Sequence, residues 1–321
     1  MSNFLVTGIA GFIGSSLAHA LLESGHSVRG IDNLSTGRFE NISDISDRID
    51  FRRADLLDLD AVHDACRDID FVLHEAALPS VPRSIKDPIS SNRSNAGGTL
   101  NLLVAARDAK VKRVVYASSS SLYGDTPTLP KQEAMAPDPI SPYAVAKLTG
   151  EYYMRSFYRV YGLETVSIRY FNVFGPRQDP TSMYSGVLSV FITRMLRGEQ
   201  PTIYGDGEQS RDFTYIDNVV SGNLLACNAP AKQVAGRYFN VATGSRATLN
   251  YTYSVLQKLT NFNRPPRYAP PRNGDIQHSH ADISLAQRHL GYKPLVTFEQ
   301  GLSRTVEWYK NATIGAATLA Q

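Results

Sequence analysis

The sequence is short of the features that mark several large protein classes. Of 321 residues only two are cysteine, Cys66 and Cys227, set far apart with no C-x-x-C pair. That argues against a disulfide framework or a structural zinc site and suits a reducing compartment. Charge of one sign is equally scarce. The 33 Lys and Arg against 30 Asp and Glu leave a net +3, and the longest basic cluster is Lys110-Val111-Lys112-Arg113, which is no nucleic-acid footprint. No apolar run approaches the ~18–20 residues of a membrane span. The opening residues carry no charged-then-apolar leader either, because a glycine-rich segment begins almost at once. With 42% apolar and 20% charged residues the chain can bury a sizeable core, which argues against disorder. The expectation is a soluble, cytoplasmic α/β protein of about two units near ~150 residues each.

Up to about residue 170, short β-branched runs alternate with longer helical patterns, which predicts a doubly wound parallel sheet. The expected strands are Phe4–Thr7, Ser27–Ile31, Ile49–Ala54, Phe71–His74, Arg113–Ala117 and Glu164–Arg169. The clearest helices are Phe12–Ser24, closed by Gly25, then Asn92–Ala109 and Tyr143–Tyr161. Beyond Arg169 the texture changes to loops rich in Gly, Pro, Asp and Arg, as in Gly175–Ser185, Gly205–Arg211 and Pro265–Gly274. Loops of that kind suit a smaller, substrate-holding lobe. The expected division is therefore 1–170 and 171–321. Part of 213–242 returns to the first sheet, as a helix over Phe213–Cys227 and a strand at Tyr238–Val241. Thr313–Gln321 carries no pattern and reads as a frayed tail.

The segment Thr7-Gly8-Ile9-Ala10-Gly11-Phe12-Ile13-Gly14 follows the first strand and opens the first helix. Its glycines allow a tight turn, close backbone approach to a diphosphate and close packing of helix on strand. The helix N-terminus adds free N–H groups and a positive dipole end. A glycine triplet alone is weak; here a strand precedes it, a helix follows, and an acid lies about ~20 residues on. That acid is Asp32, where a carboxylate can bind ribose hydroxyls and repel a 2′-phosphate. NAD is thus favoured over NADP, with Arg38 nearby as the contrary signal. Asp55 and Leu56 read either as adenine contacts or, for Asp55, as a helix N-cap. His74 reads as a hydrogen-bonded structural residue. His278 and His280 lack partners at ligand spacing, so no metal is assigned.

Ser141-Pro142-Tyr143-Ala144-Val145-Ala146-Lys147 combines an N-cap, a first-turn proline and a Tyr and Lys at i, i+4 on one helix face. A phenol titrates near pH ~10. A neighbouring ammonium and a positive nicotinamide ring would favour the phenolate and bring that pKa toward the working range. Tyr-x-x-x-Lys alone is frequent by chance. After a dinucleotide fingerprint and the serine-rich Ser118–Ser121 it becomes specific.

On these motifs the chain resembles an extended short-chain dehydrogenase/reductase of the nucleotide-sugar epimerase/dehydratase family over essentially its full length. The matching segments are Thr7–Gly14, Asp32–Gly37, His74–Ala77, Ser118–Gly124, Tyr143–Lys147, Arg169–Pro176 and Gly205–Asp212. The resemblance implies a Rossmann-type domain with a smaller loop-rich α/β domain, NAD as cofactor and a UDP-sugar as substrate. It implies Tyr143 as base, Lys147 as its partner on the nicotinamide ribose, and Ser119 as hydroxyl donor to the sugar C4 oxygen. For the cofactor it implies Gly8, Gly11, Phe12, Ile13, Gly14, Asp32, Asn33, Ser35, Thr36, Gly37, Asp55, Leu56, Ala76, Ala77 and Tyr170 beside the Tyr–Lys pair. For the substrate it implies Ser80, Ser119, Ser120, Asn172, Gly186, Val187, Tyr204, Arg211, Arg272, Asp275 and Ser279, with Asn172, Arg211 and Arg272 near the diphosphate. For an arginine outside such a motif, a plain surface cation is the competing reading.

Family members share the first step and then diverge. Dehydratases carry an acid pair after the hydroxyl donor, and UDP-glucuronate decarboxylases a glutamate at the second of those positions; here they are Ser120 and Ser121. Without a carboxyl group for elimination, 4-epimerisation is the expected fate. The small Ser279 and Gly186 should admit a 2-acetamido group, pointing to UDP-GlcNAc/UDP-GalNAc alongside UDP-Glc/UDP-Gal, while Pro79 departs from that pattern. A uronate at C6 would need donors such as Arg83, Arg177 or Ser185. A non-nucleotide carbonyl reductase and a non-catalytic NAD sensor are the readings from other classes. The family likeness of helices Asn92–Ala109 and Tyr143–Tyr161 implies a homodimer.

Overall fold

The computed structural model describes residues 1–179, 186–271 and 276–318, with side chains described to residue 311. In chain order the first lobe is β1 (Asn3–Thr7), α1 (Phe12–Glu23), β2 (Ser27–Asp32), β3 (Asp50–Arg53), α2 (Leu59–Cys66) and β4 (Phe71–His74). Helices α3 (Val81–Lys86), α4 (Pro88–Asn92) and α5 (Gly98–Asp108) lead to β5 (Arg113–Ser119), α6 (Pro142–Tyr161) and β6 (Glu164–Tyr170). Then follow β7 (Val173–Phe174), α7 (Val187–Leu196), β8 (Thr202–Tyr204), β9 (Ser210–Arg211), β10 (Thr214–Tyr215), α8 (Ile216–Asn228), α9 (Ala231–Val234) and β11 (Arg237–Val241). The chain ends with β12 (Ala247–Thr248), α10 (Leu249–Thr260), β13 (Arg267–Ala269), α11 (Ser284–Leu290) and α12 (Phe298–Thr318).

Seven parallel strands form one sheet in the order β11-β6-β5-β4-β1-β2-β3. Neighbouring residues feed opposite cores, because side chains alternate across a strand. Val6, Leu73, Val115 and Ile168 pack under α1 and α8, whereas Leu5, Val72 and Val114 pack under α2, α5 and α6. Helices on both faces explain why these strands read as unbroken apolar runs. The strand order reverses between β1 and β4. Ligands of open α/β sheets bind at such a switch point, beyond the strands' carboxyl ends. The expected return of the chain is there in outline, since β11 pairs with β6 along Arg237–Val241.

Around this sheet the small strands pair two by two: β10 with β7, β12 with β9 and β13 with β8. Asp212 ties their loops together. Its buried carboxylate accepts from Thr243 N and Oγ1, Gly244 N and Ala281 N.

Two expectations need correction. The helix anticipated over Asn92–Ala109 is interrupted by a π-helical turn at Arg93–Gly97. There the Asn95 side chain holds both the N–H and the carbonyl of Leu78. The π turn lets Asn95 serve the cleft edge while the apolar face of α5 stays on the core. The tail expected to fray from residue 313 instead continues α12 to Thr318, although only Ala316 and Ala317 of that stretch favour a helix. Among the described residues no helix is long and apolar enough to cross a membrane.

Candidate active site

The glycine turn is shaped by contact. Gly8 adopts φ +68° and donates its N–H to Ile31 O at 2.8 Å, and a Cβ there would lie 2.8 Å from the Ala76 backbone. A Cβ on Gly14 would lie 2.2 Å from Gly8 O, so only glycine lets α1 sit this close to β1. Gly11 is the N-cap of α1 and no side chain caps it, which leaves the first-turn N–H groups to face a phosphate.

Asp32 ends β2. Burial raises its pKa, against hydrogen bonds from Leu34 N and Ala10 N that pull it down. Arg38, the contrary signal for NADP, pairs across the cleft with Asp179 at 3.3 Å. Asp55 is not a helix cap. Its carboxylate accepts from Asn33 Nδ2 and Leu57 N, and Asp58 caps α2 by accepting from Ala61 N. His74 bridges Thr7 and Thr99 at 2.8 and 2.9 Å, and burial lowers its pKa to about 3. It is a structural histidine.

A cleft of about 780 Å³ runs from this turn to α6. It brings together Gly8, Gly11, Phe12, Ile13, Gly14, Asp32, Asn33, Ser35, Thr36, Gly37, Asp55, Leu56, Ala76, Ala77, Ser80, Tyr143, Lys147 and Tyr170. The lining fits NAD. A Cβ on Gly37 would lie 2.8 Å from Asp32 Oδ2, so the loop lies bare against the acid that would take the ribose hydroxyls.

Ser141 caps α6 by accepting from Ala144 N, as the sequence predicts, and Gly162 ends the helix in a left-handed turn. Lys147 Nζ donates to Ala117 O at 2.7 Å and lies 6.0 Å from the centre of the Tyr143 ring. The Ser119 hydroxyl favours ionisation of the Tyr143 phenol, and its Oγ accepts from Ser121 N and Oγ.

The electrostatics show how much of the expected pull on the phenol is left to the cofactor. Burial pushes Tyr143 up to about 12; the Ser119 hydrogen bond lowers it and the charge of Glu75 raises it. Burial lowers Lys147 to about 8, opposed by Glu75. The protein alone therefore favours the neutral phenol, and the fixed positive charge of oxidised nicotinamide has to supply the pull toward phenolate.

The other expected substrate groups are spread along the second lobe. Asn172, at φ +35°, donates to Asp212 O and Ser279 Oγ at 3.3 and 3.4 Å, so Asn172 and Ser279 are neighbours. Gly186 caps α7, Val187 starts it and Tyr204 ends β8. Ser120 opens a short 3-10 turn after Ser119. Arg211 Nη1 donates to Ser210 O and Gln277 O, and the residue lines a second cleft of about 420 Å³ with Phe213, Arg246 and Tyr251. Arg272, Asp275 and Ser185 lie outside the described residues.

Two groups escaped the sequence reading. Glu75, quoted only within its motif, is a half-buried acid in the cleft wall, pushed up to about 7 by loss of water around it. Glu151, one helical turn beyond Lys147, is buried against Arg169 and Ser118. A charged residue at i+4 from Lys147, on the face that carries it, was the available signal.

A dinucleotide cleft ending on a Tyr–Lys helix defines an NAD-dependent enzyme on a Rossmann-type fold. The chain belongs to the NAD dependent epimerase/dehydratase family, whose model matches residues 4–242. It is 39% identical over 311 residues to the UDP-glucose 4-epimerase of Mycolicibacterium smegmatis, covering 96% of this chain and 98% of that one. The UDP-N-acetylglucosamine 4-epimerase of Methanobrevibacter ruminantium, solved with UDP-N-acetylmuramic acid, superposes with a TM-score of 0.92 at 40% identity over 97% of this chain and 99% of that one. The UDP-glucuronic acid 4-epimerase of Bacillus cereus, solved with UDP-glucuronic acid and NAD, gives 0.88 at 34% identity over 97% and 99%.

Proposed function

We propose that the protein interconverts the C4 epimers of a UDP-hexose, with UDP-GlcNAc/UDP-GalNAc as the preferred pair and UDP-Glc/UDP-Gal also accepted. The observation that carries this is the placing of Tyr143 and Lys147 together in the wall of the dinucleotide cleft, beside the Ser118–Ser119 strand end, with Ser120 and Ser121 following where an eliminating enzyme needs carboxyl groups.

In this reading Tyr143 takes the proton of the 4-hydroxyl, and Ser119 holds the C4 oxygen as it becomes a ketone. Bound NAD supplies the two-electron acceptor that removes hydride from C4 and returns it. Lys147, anchored on Ala117 O, adds a positive charge beside the phenol that favours its ionised form. With serine at 120 and 121 in place of the carboxyl groups that would expel water from the ketone, rotation and return on the opposite face is the open route. Asn172, Tyr204 and Arg211, with Arg272 and Asp275, are the proposed diphosphate and uridine contacts. Ser80, Ser120, Gly186, Val187 and Ser279 would line the sugar pocket.

A second reading has a specific observation behind it. Arg83 and Arg177 both line the cleft, and a cation there suits the C6 carboxylate of UDP-glucuronate. A screen of UDP-Glc, UDP-GlcNAc and UDP-GlcA, with products resolved by NMR, separates the two. The first reading expects C4 epimers of the neutral sugars, and a 4-keto-6-deoxy product would refute epimerisation itself.

The protein is proposed to act as a homodimer. Ile85, Ile89, Val145 and Tyr152 are exposed along α3, α4 and α6, and an apolar surface of that kind marks an interface.

A further inference from the structure

Glu75 stands where the strand order reverses. It follows β4, and its backbone N–H reaches across to Thr7 O of β1. Its side chain is fixed from the far side of the cleft. Tyr170 donates its hydroxyl proton to Glu75 Oε1 at 2.8 Å and is itself held by Asn223 Nδ2 at 2.8 Å. The fully buried Asn223 also donates to Val219 O, which fixes its amide, and its Oδ1, at 3.2 Å, is a longer alternative acceptor for the Tyr170 hydroxyl than the carboxylate at 2.8 Å. Tyr143 and Lys147 of α6 share the cleft wall with Glu75 and feel its charge. The Lys147 ammonium is tied to Ala117 O.

A carboxylate in such a place needs a counter-charge. With a diphosphate on the glycine turn and a ribose on Asp32, the nicotinamide end of the dinucleotide is left for the part of the cleft that holds Glu75, Tyr143 and Lys147. That ring carries one positive charge when oxidised and none when reduced.

We propose that Glu75 is the electrostatic counterweight of the oxidised nicotinamide and biases the bound cofactor toward NAD over NADH. When the sugar's C4–H bond breaks with its electron pair and Tyr143 receives the hydroxyl proton, the ring charge falls from +1 to 0 and Glu75 is left without its partner. Return of the same hydride to C4, with the proton, restores the pair. The carboxylate thus opposes escape of the keto sugar and a stranded reduced enzyme. Loss of water pushes Glu75 up to about 7 even though the Tyr170 hydrogen bond and the Lys147 charge both pull it down, so the carboxylate gains from further positive charge. The proposal needs the family's cofactor and not the choice of sugar.

The test needs no sugar. Full-length protein is equilibrated with equal concentrations of NAD and NADH and desalted, and the bound ratio is read from absorbance at 340 nm against total nucleotide. Glu75→Gln should shift that ratio toward NADH by about tenfold, the scale of one charge–charge interaction in a partly screened site, with thermal midpoint and total nucleotide kept. Glu75→Asp should restore much of it. An unchanged ratio, or equal loss of both forms, overturns the proposal. If Glu75→Gln does not fold, Tyr170→Phe decides. It removes the donor that stabilises the carboxylate, so the ratio must move the same way by a smaller amount, and no movement overturns the proposal.

Discussion

Replacing Glu151 with alanine would leave the Arg169 guanidinium as a lone charge in the core beneath the active site. Arg169 and Glu151 are 1% and 2% exposed and meet twice, Nε to Oε1 and Nη2 to Oε2, both at 2.8 Å. Ser118 donates to the same Oε1 at 2.6 Å, and the guanidinium lies between the Tyr123 and Tyr238 rings at 4.8 and 4.2 Å. Arg169 Nη1 already lacks a hydrogen-bond partner among the described residues, so no spare acceptor stands by. Breaking such a pair from one side costs about 3–5 kcal/mol. For a chain of this size the midpoint should fall by on the order of 10 °C. Replacing both partners, as Glu151→Leu with Arg169→Met, should recover most of that loss, because two charges then no longer have to be desolvated. A residual cost of about 1 kcal/mol is expected from the stranded Ser118 hydroxyl. Turnover should not recover with stability. The pair joins α6, one turn beyond Lys147, to Ser118, which precedes Ser119, and so fixes the distance between base and hydroxyl donor. Urea unfolding of the three proteins, with turnover measured on each, is the assay. A loss under about 1 kcal/mol in Glu151→Ala, or full activity in the double variant, would refute the reasoning.

Three further outcomes follow from the site. Tyr143→Phe should lower turnover by at least about 10² to 10⁴-fold while bound NAD, measured spectroscopically, is retained; near-normal turnover would remove Tyr143 as base. In the free enzyme Lys147 titrates at about 8, because burial lowers it. Above that pH the ammonium beside the phenol is lost, so kcat/KM should fall with an apparent pKa near 8. Lys147→Arg should move that limb upward, and a flat profile to pH ~10 would contradict the assignment. Ser279→Tyr, placed against Asn172, should suppress turnover of 2-acetamido sugars before that of UDP-Glc in a competition assay; unchanged selectivity would take Ser279 out of the sugar pocket.

The parts of the site that could be read from the sequence are those whose partners are close along the chain. The packing of Gly14 on Gly8, the Ser141 cap and the Tyr143–Lys147 spacing each depend on residues within one or two helical turns, and the structure builds them as expected, with Ile31 and Ala76 adding contacts to Gly8 from afar. The fold followed from the same kind of signal, because buried parallel strands show themselves as short apolar runs. What stayed hidden depends on pairs far apart in sequence: Tyr170 with Glu75 across 95 positions, Tyr123 with Asn240 across 117, and Arg169 with Glu151 across 18. A buried acid and a surface acid look alike in a sequence, and only the fold shows which has lost its water. The phenol illustrates the limit. Spacing placed Lys147 beside Tyr143 and, together with a nicotinamide charge, suggested a lowered pKa, but the share that each must supply depends on how much water the cleft removes and on where Glu75 lies. Burial acts on both groups, raising the phenol and lowering the amine. The pull toward phenolate then has to come mainly from a charge outside the chain, so the base should be active only while the oxidised cofactor is bound.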